Sequence, residues 1–257
     1  MSEETIALVT GGGTGLGRAT SLALAETGRA VALFSRSAEH VESVAEEIRS
    51  RGGRALALTG DVRDPAAVED AVARTEREFG AIGILVNNAA GNFLVPAEDL
   101  TPNGFRAVVE IVLHGTWFCS SSVGKRMLAR GRGTMVNVVA TYAETGMPGV
   151  VHSAAAKGGV LSLTRTLAAE WGSRGIRVNA IAPGIMVTEG AAKNLQFADP
   201  ATQRKLIGTL PARRLATLEE VAGAIVWLCS PAADYVTGTC LTIDGGMSLP
   251  TSFFRRG

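Results

Sequence analysis

The sequence predicts an α/β fold, a single-domain doubly wound parallel sheet of about seven strands with helices on both faces. Three observations carry this. Short β-branched and apolar runs alternate with segments of helical periodicity along the chain. The first of those runs ends in a glycine-rich turn that opens a helix. The 257 residues, with apolar residues near half the composition, suffice for one large core, and no Pro/Gly/Ser-rich linker or charge block divides them.

Thr5 to Val9 reads as the first strand. It feeds Thr10-Gly11-Gly12-Gly13-Thr14-Gly15-Leu16-Gly17-Arg18, after which apolar residues recur with helical spacing through Leu24. A turn without Cβ atoms lets backbone approach a pyrophosphate, and the following helix N-terminus favours its negative charge. Gly11, Gly13, Thr14, Gly15 and Leu16 are therefore candidate cofactor-binding residues, against the plainer alternative of an ordinary tight turn. The second strand, Ala30 to Phe34, closes with Ser35-Arg36. An acid at this position binds a ribose hydroxyl, whereas a phosphate needs the acid absent and a cation near. Ser35 removes the repulsion and Arg36 supplies a planar fork of donors. The pair favours NADP(H) over NAD(H); the alternative is that Arg36 is a surface charge.

A helix over 39–51 leads to the third strand, Ala55 to Thr59, and then to Gly60-Asp61-Val62-Arg63-Asp64-Pro65. Asp64-Pro65 reads as an N-cap followed by the proline that opens a helix. Asp61 and Val62 lie at the strand's carboxyl end, where ligands bind in open α/β sheets. The fourth strand, Ile82 to Val86, delivers Asn87-Asn88-Ala89-Ala90-Gly91-Asn92-Phe93 to the same edge. Thr101 to Arg130 is helical, its apolar stripe broken at His114-Gly115. Thr134 to Val139 is the fifth strand, a helix follows from about Ser153 to Trp171, and Ile176 to Ile181 is the sixth strand. Residues 189–210 are long, mixed and Pro/Asn/Asp-bearing, which predicts a substrate lid. Leu218 to Leu228 is a helix capped through Thr217, and Gly238 to Ile243 is the last strand.

Tyr142 and Lys157 stand fifteen positions apart, the first in a Gly/Pro-bearing loop after the fifth strand, the second early in a helix. A phenol can donate a proton to developing negative charge, and a nearby ammonium can hold a cofactor hydroxyl. Of the three histidines, His114 reads as packed or hydrogen-bonded rather than catalytic, His40 has no assigned role, and His152 either lines the site or packs a loop.

The formal net charge of +1, with basic residues scattered singly, gives no footprint for nucleic acid. Three cysteines, Cys119, Cys229 and Cys240, lie in apolar surroundings without CxxC spacing, so buried thiols are expected and no metal site. The acidic start lacks the n-region of a signal peptide, no apolar run reaches membrane-spanning length, and the tail is not a peroxisomal address. A soluble, cytoplasmic protein is the expectation.

These residues resemble the short-chain dehydrogenase/reductase family. Thr10 to Gly17 looks like its cofactor turn, Asn87-Asn88-Ala89 like its fourth-strand motif and Pro183-Gly184 like its late nicotinamide-side turn. The resemblance covers Ile6 to about Gly246 and implies a Rossmann-like single domain over 1–257 with a nicotinamide cofactor and a homotetramer or homodimer. Most members carry a serine and Tyr-x-x-x-Lys; here Ser153 stands where that tyrosine would be and Ala140 where that serine would be. His114 stands where many members have an asparagine.

The departures are shared by one branch. Asn88-Ala89-Ala90-Gly91-Asn92-Phe93, Tyr142-Ala143-Glu144-Thr145-Gly146, Ser153-x-x-x-Lys157 and Leu167-Ala168-Ala169-Glu170-Trp171-Gly172 together are similar to the 2,4-dienoyl-coenzyme A reductases, the mitochondrial-type form most of all. The resemblance implies a catalytic Tyr142 assisted by Asn92, Ser153 near the same site, and Lys157 on the nicotinamide ribose. It places Asn88, Pro183, Gly184 and Thr188 on the cofactor, and Arg63, Phe93 and Thr101 on an acyl-coenzyme A substrate. Lys193 is a further candidate for the coenzyme's phosphates, and Arg63 read alone is equally a surface charge. The implied reaction is NADPH-dependent reduction of a 2,4-dienoyl thioester in fatty-acid β-oxidation. Two other readings stay open, a ketoreductase acting on a simple carbonyl and a non-catalytic NADP(H)-binding homologue.

Overall fold

In the computed structural model, which describes residues 6–186 and 200–249, seven parallel strands form one sheet in the order β3-β2-β1-β4-β5-β6-β7. The strands are β1 (Ile6–Thr10), β2 (Val31–Ser35), β3 (Ala55–Thr59), β4 (Ile82–Asn87), β5 (Gly133–Val138), β6 (Ile176–Pro183) and β7 (Cys240–Ile243). The helices are α1 (Gly15–Glu26), α2 (Ala38–Ser50), α3 (Pro65–Phe79), α4 (Pro102–Val109), α5 (Gly115–Arg130), α6 (Tyr142–Thr145), α7 (Val151–Trp171), α8 (Pro200–Thr209) and α9 (Leu218–Leu228).

Both faces of the sheet are covered because side chains alternate along each strand. Ala7 and Val9 of β1 share a core with Leu24 of α1, Val44 of α2 and Ile225 of α9. Ile6 and Leu8 share the opposite core with Val72 of α3, Val123 of α5 and Leu167 of α7. The strand order reverses between β1 and β4, so the carboxyl ends of these two strands form the crevice in which α/β sheets bind ligands. Helix starts are fixed locally. Asp64 accepts from the Ala66 amide ahead of Pro65, Thr101 from the Gly104 amide ahead of Pro102, and Thr217 with Glu220 forms a reciprocal capping box.

Most boundaries fall within a residue or two of the sequence reading, and four differences have a bearing on the fold. β7 begins at Cys240 because Gly238 adopts φ +74, which no strand residue has. β6 continues through Pro183, which pairs with Ile243. The break at His114-Gly115 is no break: a π-helical turn over Glu110–His114 joins α4 to α5 and rephases the apolar stripe. Gly115 is needed there, since a Cβ on it would stand 2.6 Å from Val62 Cγ2. Finally, Pro200–Thr209 is helical within the segment read as a lid, while 189–199 lies outside the described residues.

Candidate active site

The glycine turn is clamped from β4. The Thr10 hydroxyl accepts from the Asn88 and Ala89 amides, both at 3.0 Å, and the Asn88 side-chain amide donates to the Thr10 and Gly11 carbonyls at 3.0 and 3.2 Å. Asn88 therefore shapes the turn with its side chain. Gly11, at φ +63, donates to the Phe34 carbonyl at 2.7 Å, which sets the turn beside the end of β2. A Cβ on Gly17 would stand 2.0 Å from the Gly11 carbonyl, so α1 starts flush against the turn. Gly13 abuts α2, where its Cβ would meet His40 at 2.8 Å. Leu16 is buried in the core and leaves only backbone to a ligand, whereas Thr14 is exposed. The Thr14 side chain makes no cap bond and the first turn of α1 has no acid, so its unpaired amides remain available. That cradle fits a dinucleotide pyrophosphate.

At the end of β2, Ser35 is half-buried and Arg36 exposed, with Arg36 close enough to Asp61 to help hold its carboxyl below the usual range. The larger cause is Arg63, whose guanidinium grips Asp61 with Nε at 3.0 Å from both carboxylate oxygens and a terminal nitrogen at 2.6 Å from Oδ2. The sequence reading gave Asp61 to the cofactor and Arg63 to the substrate; the structure pairs them with each other. Val62 is buried against Gly115, Thr101 spends its hydroxyl on the α4 cap, and Pro183-Gly184 is tied to the end of β7 by the Gly184 amide and the Ile243 carbonyl at 2.7 Å. Thr188 and Lys193 lie outside the described residues.

The second cluster forms where α6 and α7 meet the loop after β4. Tyr142 opens the short helix α6 rather than lying in open loop. Its hydroxyl is 3.0 Å from Ser153 Oγ and accepts from the Asn92 amide at 3.4 Å. Burial pushes the Tyr142 phenol above its ordinary pKa, an effect that hydrogen bonds from Ser153 and Asn92 oppose. Its proton is therefore retained at neutral pH. Ser153 and Lys157, four residues apart on α7, share a helix face. Lys157 is buried and donates to the Val138 carbonyl at the end of β5 at 2.5 Å. Burial brings its pKa down from 10.5 to about 8. Phe93, beside Asn92, is half-buried with its ring 4.4 Å from that of His152.

Sequence reasoning missed a buried amide chain beneath this cluster. Asn87 donates to Ser120 at 3.0 Å and to Asn137 at 2.8 Å, and Asn137 donates to Thr164 at 2.9 Å. All four residues are buried, and the chain ties β4, β5, α5 and α7 together. Its signal was an asparagine, Asn137, in the middle of an apolar strand. The thiols of Cys119 and Cys229 are buried and pushed up to about 12, while Cys240 is half-buried. Among the described residues, no group of three or more His, Cys, Asp or Glu side chains could hold a metal, and no helix is long and apolar enough to cross a membrane.

Residues 11–248 match a family model described as enoyl-(acyl carrier protein) reductase. A Bacillus subtilis protein named "Probable 2,4-dienoyl-CoA reductase [(2E)-enoyl-CoA-producing]" is 45% identical over 249 residues, covering 96% of this chain and 98% of that protein. The rat "Peroxisomal 2,4-dienoyl-CoA reductase [(3E)-enoyl-CoA-producing]" is 38% identical over 256 residues, covering 98% of this chain and 87% of its own. Among solved structures, a short chain dehydrogenase from Bacillus anthracis superposes with a TM-score of 0.87 at 43% identity, covering 96% of this chain and 98% of that one.

Proposed function

The chain belongs to the short-chain dehydrogenase/reductase family, a family of oxidoreductases, and we propose that it is an NADPH-dependent 2,4-dienoyl-coenzyme A reductase. The observation that carries this is the Tyr142 hydroxyl held between Asn92 and Ser153, on the helix face that also bears Lys157. Bound NADPH supplies the hydride, which adds to C5 of the conjugated thioester. Electrons then move through the diene to the thioester oxygen, several bonds away. Tyr142 and Asn92 donate hydrogen bonds to that oxygen as charge develops, which stabilises the transition state more than the neutral substrate. A simple carbonyl would need its acid beside the carbon receiving hydride. That position is Ser153 here, and Ala140 leaves the partner hydroxyl missing, which weighs against a ketoreductase.

The residues assigned to NADPH are the α1 amides with Gly11, Gly13, Thr14 and Gly15 for the pyrophosphate, Ser35 and Arg36 for the ribose phosphate, and Lys157 for the nicotinamide ribose. Arg36 has no carboxylate beside it on β2, which supports NADP(H) over NAD(H). Phe93 contributes apolar surface for the acyl chain, and 1–257 works as one domain in unsaturated fatty-acid degradation, its substrate lid at about 189–210.

Proton return decides the product. Protonation at C2 gives a 3-enoyl thioester, which is the reading proposed; protonation at C4 gives the 2-enoyl isomer, which the Bacillus subtilis relative is named for producing. The test is loss of NADPH absorbance with 2,4-hexadienoyl-coenzyme A beside acetoacetyl-coenzyme A and 2-hexenoyl-coenzyme A. Oxidation with the diene alone is expected. Activity with acetoacetyl-coenzyme A alone means a ketoreductase, and NADPH binding without turnover on any of them means a non-catalytic homologue. Proton NMR of the diene product distinguishes the two enoyl isomers.

A further inference from the structure

Two consecutive residues after β4 and two at the start of α7 close a circuit around Tyr142. The Phe93 amide donates to Asn92 Oδ1 at 2.9 Å, which leaves the Asn92 Nδ2 to reach the Tyr142 hydroxyl at 3.4 Å. Tyr142 meets Ser153 at 3.0 Å, and the residue before Ser153 is His152. The circuit closes through side chains: the His152 ring lies 4.4 Å from the Phe93 ring, tilted by 32°. On another side Phe93 is wedged against α4, since a Cβ on Gly104 would stand 3.1 Å from Phe93 Cζ.

His152 is an expensive residue for that place. It is 0% exposed, and neither ring nitrogen has a hydrogen-bond partner. An apolar ring would pack there without the penalty of unpaired buried polar atoms. Burial also holds the imidazole below its ordinary pKa, an effect that the adjacent Phe93 backbone opposes without reversing, so it packs as a neutral ring.

We propose that His152 is a positioning residue for the hydrogen-bond donor pair at the site. By fixing the Phe93 ring it fixes the Phe93 amide, and through that amide it aims Asn92 at the Tyr142 hydroxyl. The inference rests on the reading of Tyr142 and Asn92 as oxyanion donors, and its test includes a measurement that needs no substrate.

The protein contains two tyrosines, Tyr142 and the fully exposed Tyr235. Labelled with 3-fluorotyrosine it gives two fluorine resonances, which Tyr235→Phe assigns. Loss of the Asn92 donor should shift the Tyr142 resonance and raise its ionisation midpoint, because the phenolate loses a hydrogen bond. Asn92→Ala, His152→Ala and Phe93→Leu are expected to move the signal in the same direction, and His152→Phe, which keeps a ring, to leave it near wild type. In turnover of 2,4-hexadienoyl-coenzyme A, His152→Ala should lower kcat by about tenfold with KM for NADPH changed less than about twofold, and His152→Phe should restore most of it. In an Asn92→Ala background, His152→Ala should cost less than about twofold further.

An unmoved Tyr142 signal in both His152→Ala and Phe93→Leu overturns the proposal, and so does an additive loss in the double variant. Should His152→Ala fail to fold, Phe93→Leu decides by the same signal. If the signal moves as expected but no dienoyl thioester is reduced, the substrate reading fails while the positioning role stands.

Discussion

The Lys157 ammonium donates to the Val138 carbonyl at 2.5 Å, which pins the first turns of α7 to the end of β5 just ahead of the segment that carries Tyr142. Because burial lowers the Lys157 pKa to about 8, the group titrates within an accessible range. Between about 8 and 10.5 the unfolded chain binds a proton that the folded chain does not, so this residue makes stability rise with pH across that window. The charge needed to hold a ribose hydroxyl behaves in the opposite sense. The value of kcat/KM for NADPH should fall as pH rises through about 8, close to tenfold per pH unit beyond it. A profile that stays flat to about pH 10 would remove Lys157 from cofactor binding.

Tyr142→Phe removes one of the two donors proposed for the developing oxyanion and leaves the glycine turn and the start of α1 untouched. Turnover of a dienoyl thioester should fall by about 10²–10³-fold with NADPH affinity unchanged. Full turnover in this variant would falsify the assigned mechanism.

Arg36 is exposed at the carboxyl end of β2, next to Ser35 and with no acid at the end of its own strand. Its replacement by alanine should raise KM for NADPH by about 10–100-fold, the worth of a charge-assisted hydrogen bond, and leave KM for NADH within about twofold. Equal losses for both dinucleotides would show that Arg36 supports the fold rather than the 2′-phosphate.

Asn137 lies fully buried between Asn87 and Thr164. Asn137→Ala should cost about 1–3 kcal/mol, because it leaves one buried Asn87 N–H without its acceptor, while Thr164 keeps its bond to the Val160 carbonyl. The urea midpoint reads this directly. A change below about 0.5 kcal/mol would mean that the buried chain contributes little.

The order of the elements was legible because strand and helix patterns are local. A period of two against a period of 3.6, Asp64 before Pro65 and Thr217 three residues before Glu220 each act within a few residues. Differences fell where a distant contact or a left-handed backbone set the local shape. Gly115, after the π-helical turn, packs against Val62 of the β3–α3 loop, and the start of β7 answers to the left-handed backbone at Gly238.

The sequence by itself determined the alternating βα order, the glycine turn on the first helix, the absence of an acid after β2, and the presence of Asn92, Tyr142, Ser153 and Lys157 in the chain. Only the tertiary structure decided that Asn92, fifty residues before Tyr142, reaches its hydroxyl. The same holds for the stacking of His152 on Phe93 and for the Asn87–Asn137–Thr164 chain beneath them. Periodicity and caps are short-range and are written in neighbouring residues, whereas these contacts exist because parallel strands carry distant loops to one edge of the sheet.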